Sequence, residues 1–340
     1  MSNTPLVTVL MPCYNALPYL PEALESIINQ TYTNLEILCI NDGSTDETGE
    51  VLERYAKSDS RIRVIHNSEN IKLIKTLNKG IDIATGEYIA RMDADDIALP
   101  QRIETQLRYL ETHNHTAIIS SGFMRITEAG KEQKSGIPIC LSGVACAFAS
   151  FFITPLSHPT VFCRSRVLKE NKYAANEMAL HSEDFELWTR LIRQPIQVSN
   201  IPVVLQKNRV NSSSVSHKYE LIQIENFISL LQQHHKMMGV KPIERNIAKV
   251  IGLRADKEVR PTDLKEGLWI LNKLMHNYLN QASNLEKQEI RSIAAYVFIS
   301  TILQGIKRGS FTYKLACLWQ SISGFKYFLN RQAWLFLKHR

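Results

Sequence analysis

From Leu6 to His113 the chain alternates short apolar runs with amphipathic stretches, a rhythm that few architectures accept. "LVTVLMPC" is followed by "YLPEALESIINQ", "LEILCI" by "TDETGEVLERYAKS", "RIRVIHN" by "KLIKTLNKGIDIA", and "EYIARM" by "LPQRIETQLRYLETH". The short runs suit strands, and the stretches between them repeat apolar residues at helical spacing. This predicts successive βαβ units, hence an α/β fold with a mainly parallel sheet flanked by helices. Ser44, Thr45 and Asp46 supply cap-type side chains ahead of the second helix, and Pro100 suits the first turn of the fourth.

After "TAIISSGFMRIT" the rhythm breaks, and residues from about 130 to 157 look irregular. The strand-like "HPTVFCR" and the helical "SEDFELWTRLIRQ" follow. From Tyr219 onward the pattern is helical almost throughout, with Asp263 and Glu266 spaced as a D-x-x-E capping box. Two domains are expected in the 340 residues: an α/β domain over 1–218, and a helical, basic region over 219–340.

Composition narrows the function classes. Hydrophobic residues make up 44% of the chain, ample for a core. "MSNTPLVTVLMPCYN" has the pattern of a first strand rather than a signal peptide, and the longest apolar run, Ile293–Ile306, falls short of a membrane span. Six scattered cysteines without a C-x-x-C spacing suit buried thiols, Cys13 and Cys39 among them, and a reducing cytoplasm. The net charge of +7 is concentrated after Thr301, where seven Lys or Arg residues meet no Asp or Glu. The remaining chain is balanced at 33 basic against 33 acidic residues, so a nucleic-acid-binding surface is not indicated.

One acidic cluster needs an explanation. In "GEYIARMDADDIALPQRI" the fourth expected strand runs straight into Asp93, Asp95 and Asp96. Like charges this close raise one another's pKa, so a cation, a basic partner or a solvated turn must answer them. Asp93 and Asp95 are two apart and project to the same side of an extended chain. Such a pair suits Mg2+ or Mn2+, held by one or two carboxylates together with substrate phosphates. The tripeptide alone leaves a solvated turn, with Asp96 as a helix cap, equally open. In open α/β sheets, however, ligands bind beyond the carboxyl ends of strands. "PCYN", "NDGST" and "DADD" end the first, second and fourth strands and would share one edge.

These motifs, with "HPTVFCR" and "SEDFELWTRL", resemble the family 2 inverting glycosyltransferases of the GT-A fold over roughly residues 5 to 218. The bacterial enzymes that extend lipopolysaccharide, O-antigen or capsule chains are most similar. The resemblance implies that Pro12, Tyr14 and Asn15 line the nucleotide pocket and that Asp42 hydrogen-bonds uracil. It implies Asp95 as the direct ligand of Mn2+ or Mg2+, Asp93 nearer the ribose, and Asp184 as catalytic base with Glu183 beside it. The implied donor is a UDP-hexose or UDP-N-acetylhexosamine, and the acceptor a glycan or lipid-linked glycan.

The chemistry agrees with these roles. A departing nucleoside diphosphate gathers negative charge, which a cation stabilises. The sugar passes through an oxocarbenium-like state, and a carboxylate on the opposite side must take the acceptor proton. On residue type alone, Glu183 and Asp184 read first as an acidic helix start favoured by the dipole. His158 and His181 read first as structural histidines, and Trp188 suits burial as well as stacking on a sugar. Two departures from the family pattern stand out. Asn211 occupies the place of a usual histidine, with His217 further on, and Ile71 replaces a frequent glycine.

Other readings are weaker. A catalytically inactive, sugar-nucleotide-binding relative would not need Asp42, Asp93, Asp95 and Asp184 all intact. A nucleotidyltransferase needs a Gly-rich basic loop, which "PCYNALPYLP" lacks, and an aspartate-nucleophile phosphatase would carry "DADD" after the first strand. In the tail, Phe311, Tyr313, Trp319, Phe325, Tyr327, Phe328, Trp334 and Phe336 interleave with Lys314, Lys326 and Arg331. That composition suits a helix lying on an anionic membrane surface, which predicts a peripheral protein on the inner face of the cell membrane. Packing of the same aromatics on the protein is the alternative.

Overall fold

The computed structural model describes residues 4–210, 219–240 and 242–308, together with positions 313, 314, 316, 317, 320, 327, 330 and 337. Contacts divide the chain into two compact units. The first comprises Met1–Ile137, Leu156–Ala175 and Pro195–Ser212, and the second Pro138–Pro155, Asn176–Gln194 and Ser213–Arg340.

The first unit holds a mixed sheet. Its strands are β1 (Val7–Cys13), β2 (Leu35–Asn41), β3 (Ile62–His66), β4 (Tyr88–Arg91), β5 (Ile97–Ala98), β6 (Thr116–Ile126), β7 (Glu132–Gly136), β8 (Phe162–Arg164) and β9 (Gln197–Arg209). Their order is β3-β2-β1-β4-β8-β6-β9-β5, with β7 paired to β6. The strands β3, β2, β1 and β4 are parallel, as the alternating sequence predicts. Beyond β4 the sheet is mixed: β8 is antiparallel to both β4 and β6, while β9 is parallel to β6. Helices α1 (Leu20–Ile28), α2 (Thr48–Ser58), α3 (Leu73–Ile83) and α4 (Arg102–Thr112) follow the strands at the expected places.

Both faces of β1 are covered, which is why it is apolar almost without a break. Val7, Val9, Met11 and Cys13 enter a core with Leu20, Ala23, Leu24 and Ile27 of α1. On the opposite face Gly80 lets α3 approach, since a Cβ there would fall 2.3 Å from Leu10 Cδ1. Each fully buried aliphatic side chain is worth about 1.5–3 kcal/mol relative to exposure.

The second unit is helical and takes in two segments from within the expected first domain, so compactness does not follow a single cut near residue 218. The reason is apolar. Phe148, Phe151 and Phe152 are buried, and Phe148 and Phe151 pack on Tyr278 of the helix Pro261–Leu279 with centroids 5.5 and 6.0 Å apart. That helix starts one turn earlier than the expected capping box. Arg260 is the cap, and Asp263 reaches back to the Arg260 N–H (2.8 Å).

Two tail aromatics are among the described residues, and both are buried. Tyr313 and Cys317 close on Gly305, where a Cβ would lie 2.6 Å from the tyrosine ring. Tyr327 stacks on Phe298 (4.6 Å) and donates its hydroxyl to Asn272 Oδ1. Tyr313 and Tyr327 therefore pack inside the helical unit instead of facing lipid. Phe311, Trp319, Phe325, Phe328, Trp334, Phe336, Lys326 and Arg331 lie outside the described residues. No described helix is long and apolar enough to cross a membrane. All six cysteines are buried, and none forms a disulfide.

Candidate active site

The register of the parallel strands gathers three motif-bearing ends. Cys13 pairs with Asn41 and Leu10 with Arg91, so β1, β2 and β4 finish along one edge of the sheet. Pro12 belongs to β1, Tyr14 is exposed, and Asn15 turns the chain with φ +47°. Asn15 Oδ1 accepts the Thr45 N–H (2.8 Å), and the Asn15 N–H donates to Ser44 Oγ (3.0 Å). Two strand ends are thus laced into one surface.

Asp42 lies beneath that surface, 4% exposed. Its Oδ1 accepts from Asn67 Nδ2 (2.8 Å) and the Ile71 N–H (2.9 Å), and its Oδ2 from the Lys72 N–H (3.0 Å). The carboxylate therefore holds the loop 67–72 in place. Ile71 contributes only its backbone N–H, so its replacement of a frequent glycine leaves this contact intact. Gly43, at φ +66°, passes so close to the loop that a Cβ would fall 2.5 Å from the Glu69 carbonyl carbon. No other residue takes that position without moving the loop.

Asp93, Asp95 and Asp96 each offer a carboxylate oxygen within 4.8 Å of the others. Desolvation, then the charge of Asp93, pushes Asp95 up to about 6. Burial and the same neighbours hold Asp96 well above the usual carboxylate range. Asp93 and Asp95, hard oxygen donors side by side, fit a divalent cation, which would relieve the penalty on ionised Asp95.

Part of the charge is answered from within the chain. Arg91, 4% exposed at its side chain, donates to Asp93 Oδ2 (2.6 Å). Arg102 lies fully buried below, its Nη2 donating to the Arg91 carbonyl (2.6 Å), and burial pulls its guanidinium down to about 9. Asp96 is turned inward: Oδ2 accepts from Gln206 Nε2 (2.7 Å) and Oδ1 from the Arg209 N–H (2.9 Å). It braces the turn to β9 and is not the cap of α4, which begins at Arg102.

Comparison with known proteins now decides the family. A profile described as Glycosyl transferase family 2 matches residues 8–164. An uncharacterized glycosyltransferase of Haemophilus influenzae is 38% identical over 234 residues, 66% of this chain and 72% of that one. The chain belongs to glycosyl transferase family 2. Among its other relatives, the amylovoran biosynthesis glycosyltransferase AmsE of Erwinia amylovora is 30% identical over 216 residues, 63% of this chain and 79% of AmsE. The structure of S. aureus TarS 1–349 in complex with UDP-GlcNAc matches at TM-score 0.57 and 15% identity, covering 94% of this chain and 91% of that one. Mannosyltransferase PcManGT from Pyrobaculum calidifontis, in complex with GDP-Man and Mn2+, matches at TM-score 0.57 and 17% identity over 94% and 88%. At these identities the likeness concerns the fold, which is GT-A.

The remaining residues of this family 2 enzyme divide between the two units. Glu183 and Asp184 open the helix Glu183–Ile192 of the second unit, where the dipole favours their charge. Glu183 is buried, and Asp184 Oδ1 accepts the Phe185 N–H (2.7 Å). Trp188 is fully buried, which ends its role as a candidate sugar platform. His181 stacks on Tyr219 (4.2 Å) at φ +62°. In the first unit His158 is buried against Tyr173, its Nε2 2.8 Å from the hydroxyl, and desolvation, reinforced by Arg91, holds it well below the usual range. Asn211 and His217 lie outside the described residues.

Sequence reading missed Arg102, Gln206 and Arg209, and left Arg91 without a role. Arg91 was within reach, because it stands two before Asp93 and two-residue spacing puts both on one side of a strand. Arg209 stands at the arginine of the R-x-H pattern whose histidine is Asn211 here, whereas Arg102 and Gln206 carry no local signal.

Proposed function

We propose that this glycosyltransferase moves a hexose or N-acetylhexosamine from UDP to a hydroxyl of a growing bacterial surface polysaccharide, with inversion and with a divalent cation. The observation that carries the reading is one sheet edge where Asp42 holds the loop 67–72 and the Asp93–Asp95 pair stands ready for a cation. Nucleotide sugars in TarS and PcManGT, and Mn2+ in the latter, support it. The name of AmsE supports a polysaccharide product.

Each residue has a task. Asp42 Oδ2 accepts one hydrogen bond from the loop and keeps a lone pair for the N3–H of uracil. Pro12, Tyr14 and Asn15 form the adjoining wall of the base pocket. Asp95, with Asp93 beside it, would hold Mn2+ or Mg2+, which supplies positive charge to the departing diphosphate. Arg91 fixes Asp93 through one of its two oxygens, Oδ2. Asp184, with Glu183 next to it, takes the proton of the acceptor hydroxyl as the sugar is displaced, and single displacement turns an α-linked donor into a β-linked product. The cationic tail would hold the enzyme at the inner face of the membrane, near a lipid-linked acceptor.

The deciding experiment presents UDP-, GDP- and dTDP-sugars with Mn2+ and measures thermal shift and slow donor hydrolysis. A UDP-sugar should stand out in both. No response to any nucleotide sugar would leave the inactive, binding-protein reading in its place.

A further inference from the structure

Arg209 closes β9 and lies 114 residues from Asp95, yet its side chain is only 2% exposed and reaches three other segments. Its Nε donates to the Asp95 carbonyl (3.0 Å), and its Nη1 to the carbonyls of Thr127 (3.3 Å) and Glu128 (2.8 Å). Nη2 pairs with Glu22 on α1, and the ring of Tyr19 lies 4.4 Å from the guanidinium carbon. The Arg209 N–H also binds Asp96 Oδ1 (2.9 Å), while Gln206 takes the other oxygen of Asp96 (2.7 Å).

We propose that Arg209 is the positioning residue of the metal-binding turn, gripping the Asp95 backbone so that the Asp95 carboxylate points at the cation. This rests on the reading of Asp95 as ligand. A planar fork with donors in fixed directions can hold carbonyls from two segments and a carboxylate from a third at once. A lysine, with one point charge on a flexible stem, cannot. Asp96, spent on β9, belongs to the same brace and not to the ligand set.

The test uses the full chain and reads Mn2+ binding directly, from the free-ion EPR signal in the presence of UDP. Arg209→Lys should weaken Mn2+ binding by about 10- to 100-fold, the usual cost of losing a group that orients a metal ligand. UDP binding without metal should stay within about twofold, since the Asp42 loop makes none of these contacts. Glu22→Gln removes a half-exposed partner of Arg209 without threatening the fold, and should weaken Mn2+ by about two- to fivefold. If Arg209→Lys fails to fold, Glu22→Gln decides. A native protein that takes up no Mn2+ overturns the functional reading and this proposal with it. Native uptake matched by folded variants, or a parallel loss of metal-free UDP binding, overturns the positioning role alone.

Discussion

Acid should loosen the helical unit, because two histidines are buried in it in their neutral form. His234 and His235, on the helix Glu220–Met237, are buried side by side against Phe151, whose ring lies 5.0 Å from each. His234 Nε2 faces Ser150 Oγ (2.9 Å), whose proton goes to the Ala147 carbonyl, and Nδ1 faces the Arg193 guanidinium (3.2 Å). Arg193 can only donate, so Nδ1 accepts and the ring is neutral. His235 Nε2 donates to the Phe151 carbonyl (2.9 Å), leaving a buried Nδ1 with no acceptor for a second proton. Burial, reinforced by Arg193 and His235, pulls His234 down to about 3, and burial pulls His235 down to about 4. Both folded values lie below the unfolded value of about 6.5, so the stability they confer is complete above that pH and is lost as pH falls toward 4. Linkage gives about 2 kcal/mol lost per histidine between pH 7 and pH 5, or about 4 kcal/mol for the pair. All four tryptophans belong to the second unit, so urea melts followed by tryptophan fluorescence report on it alone. His235→Gln should cut the loss by about half. Equal stability of this unit at pH 5 and pH 7 would refute the neutral-pair geometry.

Asp184→Asn keeps the shape but cannot take a proton, so turnover should fall by about 10²–10⁴-fold while UDP affinity, read by titration calorimetry, barely moves. Near-normal turnover would remove Asp184 from its role. Asp95→Ala should abolish Mn2+-dependent donor binding, as EDTA should in the native enzyme, whereas Asp42→Ala should weaken UDP even without metal. Donor binding indifferent to chelator would sink the metal assignment. Tyr313→Ala should cost about 3 kcal/mol in a denaturant melt, because its ring is fully buried on Gly305. Vesicle flotation at rising salt then tests the tail charges separately. Binding to anionic vesicles should fade as salt screens the cations, and no binding at low salt would end the membrane proposal.

The sequence by itself determined the elements whose signals are local. Strand runs of four to seven residues alternating with amphipathic helices placed β1 to β4 and α1 to α4, because side-chain periodicity and turn residues act over a few positions. The same locality put Asp93 and Asp95 on one side and could have added Arg91, two residues earlier. Parallel pairing then brought "PCYN", "NDGST" and "DADD" to one edge, as strand order implied. Tertiary structure decided everything that depends on distant partners. Asp96 looked like a cap until Gln206 and Arg209, more than a hundred residues away, took both its oxygens. Asp42 looked like a base contact alone until the Ile71 and Lys72 amides closed on it. Trp188 and Tyr313 looked available, and their burial came from surfaces that no window along the chain contains. Buried donors and acceptors must find partners wherever the fold supplies them, and which partners arrive is a property of the packed chain, not of any segment.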